Sequence, residues 1–349
     1  MPYSRLYLVG DNAPWVLSEE VREIYRLAEL LGIQTEIITD PGSVHGQSVF
    51  YISRYALMET IERQTDNRLG MAYFHGTPGS GYPEFDRMFG LIGQHHQRIA
   101  RIQVTYAEME QLMWSTGIDR NKVFRIPLAV ALEAFPMRTS GSRLHARAHL
   151  GIPATATVLG SFQKDGNGWE EGLEPKLIKG PDIFLRVLAM VKHRIPNLLV
   201  LLTGPSRGFV KHGLDQLGIP YRHVHLEKYR DIAACYHALD LYIVASRQEG
   251  GPKAVLEAMA SGVPLVTTRV GQAMDLVQHN RNGWMVDPGD VDGLAESVLD
   301  ALGNPSRCAS IVESARITAE QHSYDRQLPL WKEFFHGFVQ SRLGERVHS

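Results

Sequence analysis

Short apolar runs alternate with amphipathic stretches of helical length along most of the chain. In the first half this pattern predicts β-strands near 6–9, 35–38, 49–53, 71–74, 102–105 and 123–126. In the second half it predicts strands near 157–162, 198–203, 223–226, 241–245 and 265–268. Such alternation is typical of parallel sheets built from β-α-β units. The sequence therefore predicts an α/β protein with two Rossmann-like, doubly wound domains.

The apolar periodicity stops within 136–149, and the polar run 138–143 predicts a linker. We therefore predict a first domain over residues 1–137 and a second domain over residues 138–325. From 326 to 349, apolar residues recur at helical spacing and predict one last helix. Because ligands of open α/β sheets bind beyond the carboxyl ends of the strands, we expect the two domains to face a cleft.

Composition narrows the class of protein. The 36 lysines and arginines nearly balance the 38 aspartates and glutamates, which argues against a nucleic-acid partner. The chain has two cysteines, Cys235 and Cys308, which are too few for a disulfide framework, so we expect a cytoplasmic protein. Its apolar runs are shorter than the roughly 20 residues of a membrane span, and its N-terminus lacks a long apolar signal core. We therefore expect neither a membrane span nor secretion by that route.

The most informative segment is 246–262, which reads SRQEGGPKAVLEAMASG and follows an apolar strand. We predict a helix here with Gly251 as its N-cap and Pro252 as its first residue, ended by Gly262. The unpaired N–H groups and the positive dipole end at the start of such a helix form a ready site for phosphate.

Two glutamates lie in this segment, with Glu249 before the predicted helix and Glu257 inside it. A carboxylate among apolar helix residues needs a partner, and the vicinal hydroxyls of a ribose are one suitable partner. Alternatively, Glu257 points to solvent or pairs with a lysine or arginine, and the helix alone favours this alternative.

The surrounding sequence resembles the donor domain of the retaining glycosyltransferases of family 4, whose signature has two glutamates separated by seven residues. The likeness runs through CYHALDLYIVASRQEGGPKAVLEAMASGVPLVTTRVG and NGWMVDPGD, and is weaker at MAYFHG, QVTYAEMEQLM and IPLAVALEAF. It implies a GT-B fold, in which two Rossmann-like domains face a cleft and a final helix crosses back to the first domain. In that fold the second domain holds a nucleoside-diphosphate sugar and the first holds the acceptor.

The resemblance also implies roles for individual residues of this segment. Glu249 would contact hydroxyls of the donor sugar, and Glu257 would contact the ribose hydroxyls. The amides around Gly250, Gly251 and Lys253 would face phosphate.

A second segment, 160–182, ends in a predicted helix start that places Lys179 at the positive end of the helix. The resemblance implies that Lys179 and an arginine after the preceding strand neutralise the diphosphate. Ser161 stands at the position of that arginine, so we hypothesise that Lys164 supplies the second cation. We expect Lys176 to be a solvated loop lysine.

Two candidates lie in the first half. A lone histidine such as His75 is more often structural than catalytic, but its position after an apolar strand favours function. The resemblance places His75 beside the donor sugar, where it would orient a hydroxyl or stabilise charge. The first loop, GDNAPW, departs from the family's glycine pair, and Asn12 either hydrogen-bonds to the donor or belongs to a plain turn.

We expect no metal and no other cofactor, since the pair His95 and His96 has no acidic or thiol partners at ligand spacing. The predicted reaction transfers a sugar from a nucleoside-diphosphate sugar to a hydroxyl of a carbohydrate or lipid-linked acceptor, with retention, in glycan or glycoconjugate synthesis. Peripheral contact with the inner membrane face fits such an acceptor. Two alternatives stay open: a nucleotide-sugar epimerase of GT-B fold, and a catalytically silent partner subunit.

Overall fold

The computed structural model describes residues 2–10, 16–168 and 170–340. The chain forms two compact units. The first unit contains the residues up to Leu128 together with those from Tyr324 on, and the second is Ala129–Ser323. Each unit has one six-stranded sheet whose paired strands run parallel. The predicted α/β fold with two Rossmann-like units is therefore confirmed.

The first unit contains all six strands predicted from the first half of the chain. They are β1 (Arg5–Val9), β2 (Gln34–Ile38), β3 (Ser48–Tyr51), β4 (Arg68–Ala72), β5 (Ile99–Val104) and β6 (Val123–Arg125). Their order in the sheet is β2-β1-β3-β4-β5-β6. The helices between them are α1 (Val16–Leu30), α2 (Arg54–Thr60), α3 (Pro83–His95) and α4 (Ala107–Trp114).

The second unit contains the five predicted strands and one more. The strands are β7 (Thr157–Ser161), β8 (Leu198–Thr203), β9 (Tyr221–Val224), β10 (Leu241–Val244), β11 (Leu265–Thr268) and β12 (Trp284–Val286). Their order is β12-β11-β10-β7-β8-β9. The helices are α5 (Ser140–His149), α6 (Pro181–Val191), α7 (Gly208–Leu217), α8 (Ile232–Ala238), α9 (Lys253–Ala260), α10 (Ala273–Leu276), α11 (Val291–Gly303) and α12 (Pro305–Gln321).

The central strands of this sheet are covered on both faces. Every residue of β8 and β10 is buried, as expected for parallel strands between two layers of helices. On one face, α6 packs the predicted apolar stripe of Phe184, Val187 and Leu188 into the core. The site described below therefore rests on a packed layer of buried strands.

The segment predicted as a linker is a helix. Thr139 caps α5, and its Oγ1 accepts a hydrogen bond from the Ser142 N–H at 3.0 Å. Arg147 on this helix is buried and bonds Asp240 at 2.7 Å, so a polar sequence still packs on the unit. The preceding residues, 129–137, also belong to the second unit, whose core contains Phe135. The boundary thus precedes the polar run.

The last described helix, α13 (Tyr324–Phe335), belongs to the first unit and packs on α1. Tyr324 Oη donates to Glu20 Oε2 at 2.6 Å, and Trp331 and Phe334 make edge contacts with Phe50 of β3. The predicted helix extended further, but Phe338 lies in a turn after the helix end. None of the described helices is long and apolar enough to cross a bilayer.

Candidate active site

Glu249 follows the buried strand β10 and is itself only 7% exposed. Both of its oxygens accept hydrogen bonds from Lys179 Nζ at 2.7 Å. Oε1 also accepts from Gln163 Nε2 at 2.8 Å and from Ser246 Oγ at 2.9 Å. Burying a carboxylate is costly unless it is paired and hydrogen-bonded. This set of donors therefore allows a charged carboxylate to stand at the end of β10.

Lys179 reaches this carboxylate through a close approach of two loops. It closes a single 3₁₀ turn, Leu177–Lys179, and Gly180 follows with a φ of +66°. A Cβ on Gly180 would lie 1.9 Å from the carbonyl oxygen of Ala245, so a side chain at this position cannot be accommodated. Helix α6 then begins at Pro181, as predicted. Lys179 therefore lies at the positive end of α6.

Helix α9 begins one residue later than predicted. Pro252 is its N-cap, with φ −66° and ψ 98°, and Lys253 is its first residue. The proline φ suits a helix, but the extended ψ keeps this residue outside it. Gly250 and Gly251 precede the helix start, and Gly262 ends the helix region at a φ of +68°, as predicted. The candidate phosphate-facing amides thus flank a real helix start.

Glu257 is buried inside α9 and is only 2% exposed. Its carboxylate accepts a hydrogen bond from Tyr236 Oη at 2.9 Å and a second one from Tyr229 Oη. Burial, followed by the charge of Glu257, raises the pKa of Tyr236 well above its usual value. Burial of Glu257 therefore excludes the alternative that this residue points to solvent. A carboxylate has about four acceptor positions, so it can accept from more than two donors.

A buried ion pair beside this site was not predicted. Arg207, just before α7, donates from Nε to Asp165 Oδ2 at 2.9 Å and from Nη1 to the Ser161 carbonyl oxygen at 2.9 Å. These three residues line one small cavity together with Lys164 and Lys179. Burial raises the pKa of Asp165 to about 6, against the opposing effect of the guanidinium. The guanidinium of Arg207 thus lies beside Ser161, which stands at the position where the resemblance implies an arginine. Arg207 follows the end of β8, and this position after a strand was the signal in the sequence that could have identified it.

Lys164 lies within this cavity lining, as the replacement hypothesis requires. Burial of its side chain lowers the pKa of the ammonium group. Lys176, by contrast, contributes no lining atom to that cavity in the described part of the chain. Whether Lys164 contacts a diphosphate stays a prediction.

His75 belongs to the first unit, whereas Glu249 belongs to the second. The His75 ring makes an edge contact with Phe85, with the ring centroids 5.7 Å apart. Its Nε2 lies 3.4 Å from Nη2 of Arg54, whose Nη1 donates to the His75 carbonyl oxygen. These contacts fix the ring, and its role beside a donor sugar stays a prediction. Asn12 lies outside the described residues.

Comparisons with known proteins give a family match for most of the second unit. Residues 173–318 match the glycosyl transferases group 1. The chain is 29% identical over 256 residues to a D-inositol 3-phosphate glycosyltransferase of Saccharomonospora viridis, covering 66% of this chain and 56% of that protein. It is 30% identical over 236 residues to D-inositol 3-phosphate glycosyltransferase 1 of Catenulispora acidiphila, covering 63% and 51%. The chain thus matches little more than half the length of these relatives.

Solved structures share the fold of both units. Anabaena Alr3699/HepE in complex with UDP and glucose aligns with a TM-score of 0.76 at 18% identity, over 95% of this chain and 99% of that one. Sucrose-phosphate synthase (tll1590) from Thermosynechococcus elongatus aligns with a TM-score of 0.78 at 14% identity, over 96% and 98%. The fold is that of the GT-B class. Residues 173–318 match the group 1 glycosyl transferases, which agrees with the family resemblance seen in the sequence.

Proposed function

We propose that this protein is a retaining glycosyltransferase that moves a sugar from a nucleoside-diphosphate sugar to an acceptor hydroxyl. The observation that carries this proposal is the ion pair of the buried Glu249 with the partly exposed Lys179, at 2.7 Å and beside the start of α9. Anion-binding groups and a carboxylate therefore converge at the carboxyl ends of β7 and β10, where ligands of α/β sheets bind. The match of residues 173–318 to the group 1 glycosyl transferases supports the same activity.

The positive groups of the site suit the leaving diphosphate. As the bond between the anomeric carbon and the phosphate oxygen breaks, negative charge develops on that oxygen, and preorganised cations and amides stabilise it. Lys179 has three N–H donors, so it can bridge Glu249 and a phosphate oxygen. The amides around Gly250, Gly251 and Lys253 would face the same phosphates.

The carboxylates serve the two ends of the donor. Glu249 would bind hydroxyls of the transferred sugar, and Glu257, held by its two tyrosines, would bind the ribose. The acceptor oxygen forms its bond to the anomeric carbon on the face that the phosphate leaves. The acceptor hydroxyl transfers its proton to the leaving phosphate oxygen, so no separate base from the protein is needed.

UDP is the first nucleotide to test, because one solved relative holds UDP. A carbohydrate or lipid-linked acceptor, a cytoplasmic location and peripheral contact with the inner membrane face are part of this proposal. The relatives named as inositol-phosphate glycosyltransferases suggest a small polyol phosphate as one acceptor to include.

The proposal is tested by incubating the protein with UDP-, GDP- and ADP-sugars, with and without a panel of acceptors, and following the anomeric protons by NMR. We expect a glycoside with the anomeric configuration of the donor to form only with an acceptor present. A changed nucleotide sugar without an acceptor would identify an epimerase, and no turnover of any donor would favour a silent subunit.

Turnover should survive chelation of divalent ions, because lysines and helix-end amides meet the charge of the diphosphate. We expect the initial rate in excess EDTA to stay within about twofold of the untreated rate. Removing a metal that stabilises the transition state would raise the activation free energy by several kcal/mol and so slow the reaction far more. A loss of activity in EDTA that added metal restores would contradict this account.

Lys164→Ala should weaken UDP binding by roughly 10- to 100-fold, as expected for losing a hydrogen bond of about 1.5–3 kcal/mol to a charged group. The measurement is calorimetric titration of UDP into the whole chain. Lys176→Ala is the matched control, since this lysine lies in the same loop but outside the cavity lining. Equal affinities for the wild type and Lys164→Ala would remove Lys164 from the site.

A further inference from the structure

Three potential metal ligands meet at the edge of the second sheet, and none of them is a residue of the proposed donor site. His223 lies on the edge strand β9, and His225 follows that strand's end. Alternate residues of a strand share one face, and the two imidazole rings lie with centroids 4.3 Å apart. Glu171 joins them from the loop before α6. One ligand atom from each of the three residues lies within 4.8 Å of the others.

The hydrogen bond of His223 leaves the correct nitrogen for a metal. Its Nε2 lies 2.7 Å from the carbonyl oxygen of Gly204, an acceptor, so Nε2 carries the proton and donates it. Nδ1 therefore keeps its lone pair, and it lies 4.0 Å from Oε1 of Glu171. A metal-binding histidine typically has its other nitrogen held by such a carbonyl, which fixes the ring orientation.

Glu171 is also held in place by its surroundings. Ser206 Oγ donates to the carbonyl oxygens of Gly168 at 3.0 Å and Glu170 at 2.7 Å, which fixes the loop backbone beside it. Lys211 Nζ lies 2.6 Å from Oε2 of Glu171, so the other oxygen, Oε1, is the one directed at His223. The three side chains thus come from two preformed segments.

We propose that His223, His225 and Glu171 form a binding site for a divalent transition-metal ion, with Zn²⁺ as the ion and water as its fourth ligand. Two imidazoles and one carboxylate are a ligand set typical of zinc, whereas Mg²⁺ prefers oxygen ligands alone. Ligands about 2.0–2.2 Å from a tetrahedral ion lie roughly 3.3–3.6 Å apart, so small side-chain rotations close this cluster. The bound ion would tie the loop of Glu171 to β9.

The site shares no residue with the proposed donor site. Strand β9 is separated from β7 by β8 in the sheet order, and Glu249 follows β10 on the far side of β7. The ion would therefore stabilise the second unit without entering the transfer reaction. Its removal should lower the melting temperature while turnover is kept, so this inference and the proposed function fail independently.

The test is calorimetric titration of Zn²⁺ into the whole chain after metal removal, with thermal denaturation at the same zinc concentrations. We expect one zinc ion per chain and a melting temperature that rises with zinc. His225→Ala and Glu171→Gln should each weaken zinc binding at least tenfold and reduce the thermal shift. His149→Ala, which removes an exposed histidine from α5, is the control and should bind zinc as the wild type does.

Glu171→Gln keeps the size of the side chain, so it tests the site even if His225→Ala folds poorly. Wild-type zinc affinity in either ligand variant would overturn the three-ligand site. The same conclusion would follow from a wild-type chain that binds no zinc, or from a loss in His149→Ala equal to that in His225→Ala.

Discussion

Glu249→Gln should lower kcat on the order of 10²- to 10³-fold while UDP still binds, because the lost charge acts mainly in the transition state. The sugar ring gains positive charge as its bond to phosphate breaks, and a neutral amide of the same size cannot stabilise it equally. Glutamine also releases Lys179 from its ion pair, so the free nucleotide should bind no more weakly than before. Steady-state kinetics and UDP calorimetry on the same preparation measure both effects.

Glu257→Gln is the matched comparison. The ribose does not change during the reaction, so this variant should mainly raise KM and leave kcat within a few fold. Its melting temperature must also be measured, because Tyr229 and Tyr236 donate to this carboxylate. If Glu257→Gln loses only kcat while Glu249→Gln loses nucleotide affinity, the two roles are reversed.

Arg207→Met should lower the free energy of unfolding by about 3–5 kcal/mol, because it leaves the buried Asp165 carboxylate without its cation. For a unit of this size each kcal/mol corresponds to about 2–4 °C in melting temperature, so the expected loss is roughly 6–20 °C. Arg269→Met is the control, because the ion pair of Arg269 with Asp287 is about half exposed or more on both sides. Losing this pair should lower the free energy of unfolding by less than about 1 kcal/mol.

The Arg207 prediction has a pH dependence of known sign. Burial raises the pKa of Asp165 from 3.8 to about 6, so the folded chain keeps this proton to a higher pH than the unfolded chain. The free energy of unfolding therefore falls as the pH rises through this range. Because the guanidinium lowers the pKa of Asp165, removing it raises this pKa further. Asp165 is then protonated at pH 5, so Arg207→Met should recover part of its stability on moving from pH 7 to pH 5. An equal deficit at both pH values would exclude Asp165 as the cause.

The sheets could be predicted because parallel strands covered on both faces are continuous apolar runs, as in β8 and β10. Strand β12 was missed although it is no shorter than β6, which was predicted. Helix α5 was mistaken for a linker because its first turns are polar and its buried face includes an arginine. Periodicity detects apolar faces, and it fails where charged groups are buried by pairing.

The site could be predicted only where its residues are neighbours in the sequence. The segment around Glu249 and the sequence Lys179-Gly180-Pro181 are local, and both form the expected strand-loop-helix geometry. The ion pair of Arg207 with Asp165 joins residues 42 positions apart, and it depends on how loops pack. Contacts of this kind are fixed by tertiary structure, and no short motif encodes them.

The central claim is that the second unit binds the diphosphate of a sugar donor through Lys179. Calorimetric titration of UDP into wild type, Lys179→Ala and Lys192→Ala tests it most directly. Lys192 caps the opposite, C-terminal end of α6, so its variant removes the same charge away from the site. We expect Lys179→Ala to weaken UDP binding by roughly 10- to 100-fold and Lys192→Ala to leave it unchanged. Equal UDP affinities in all three proteins, or no binding by the wild type of UDP, GDP or ADP, would contradict the account.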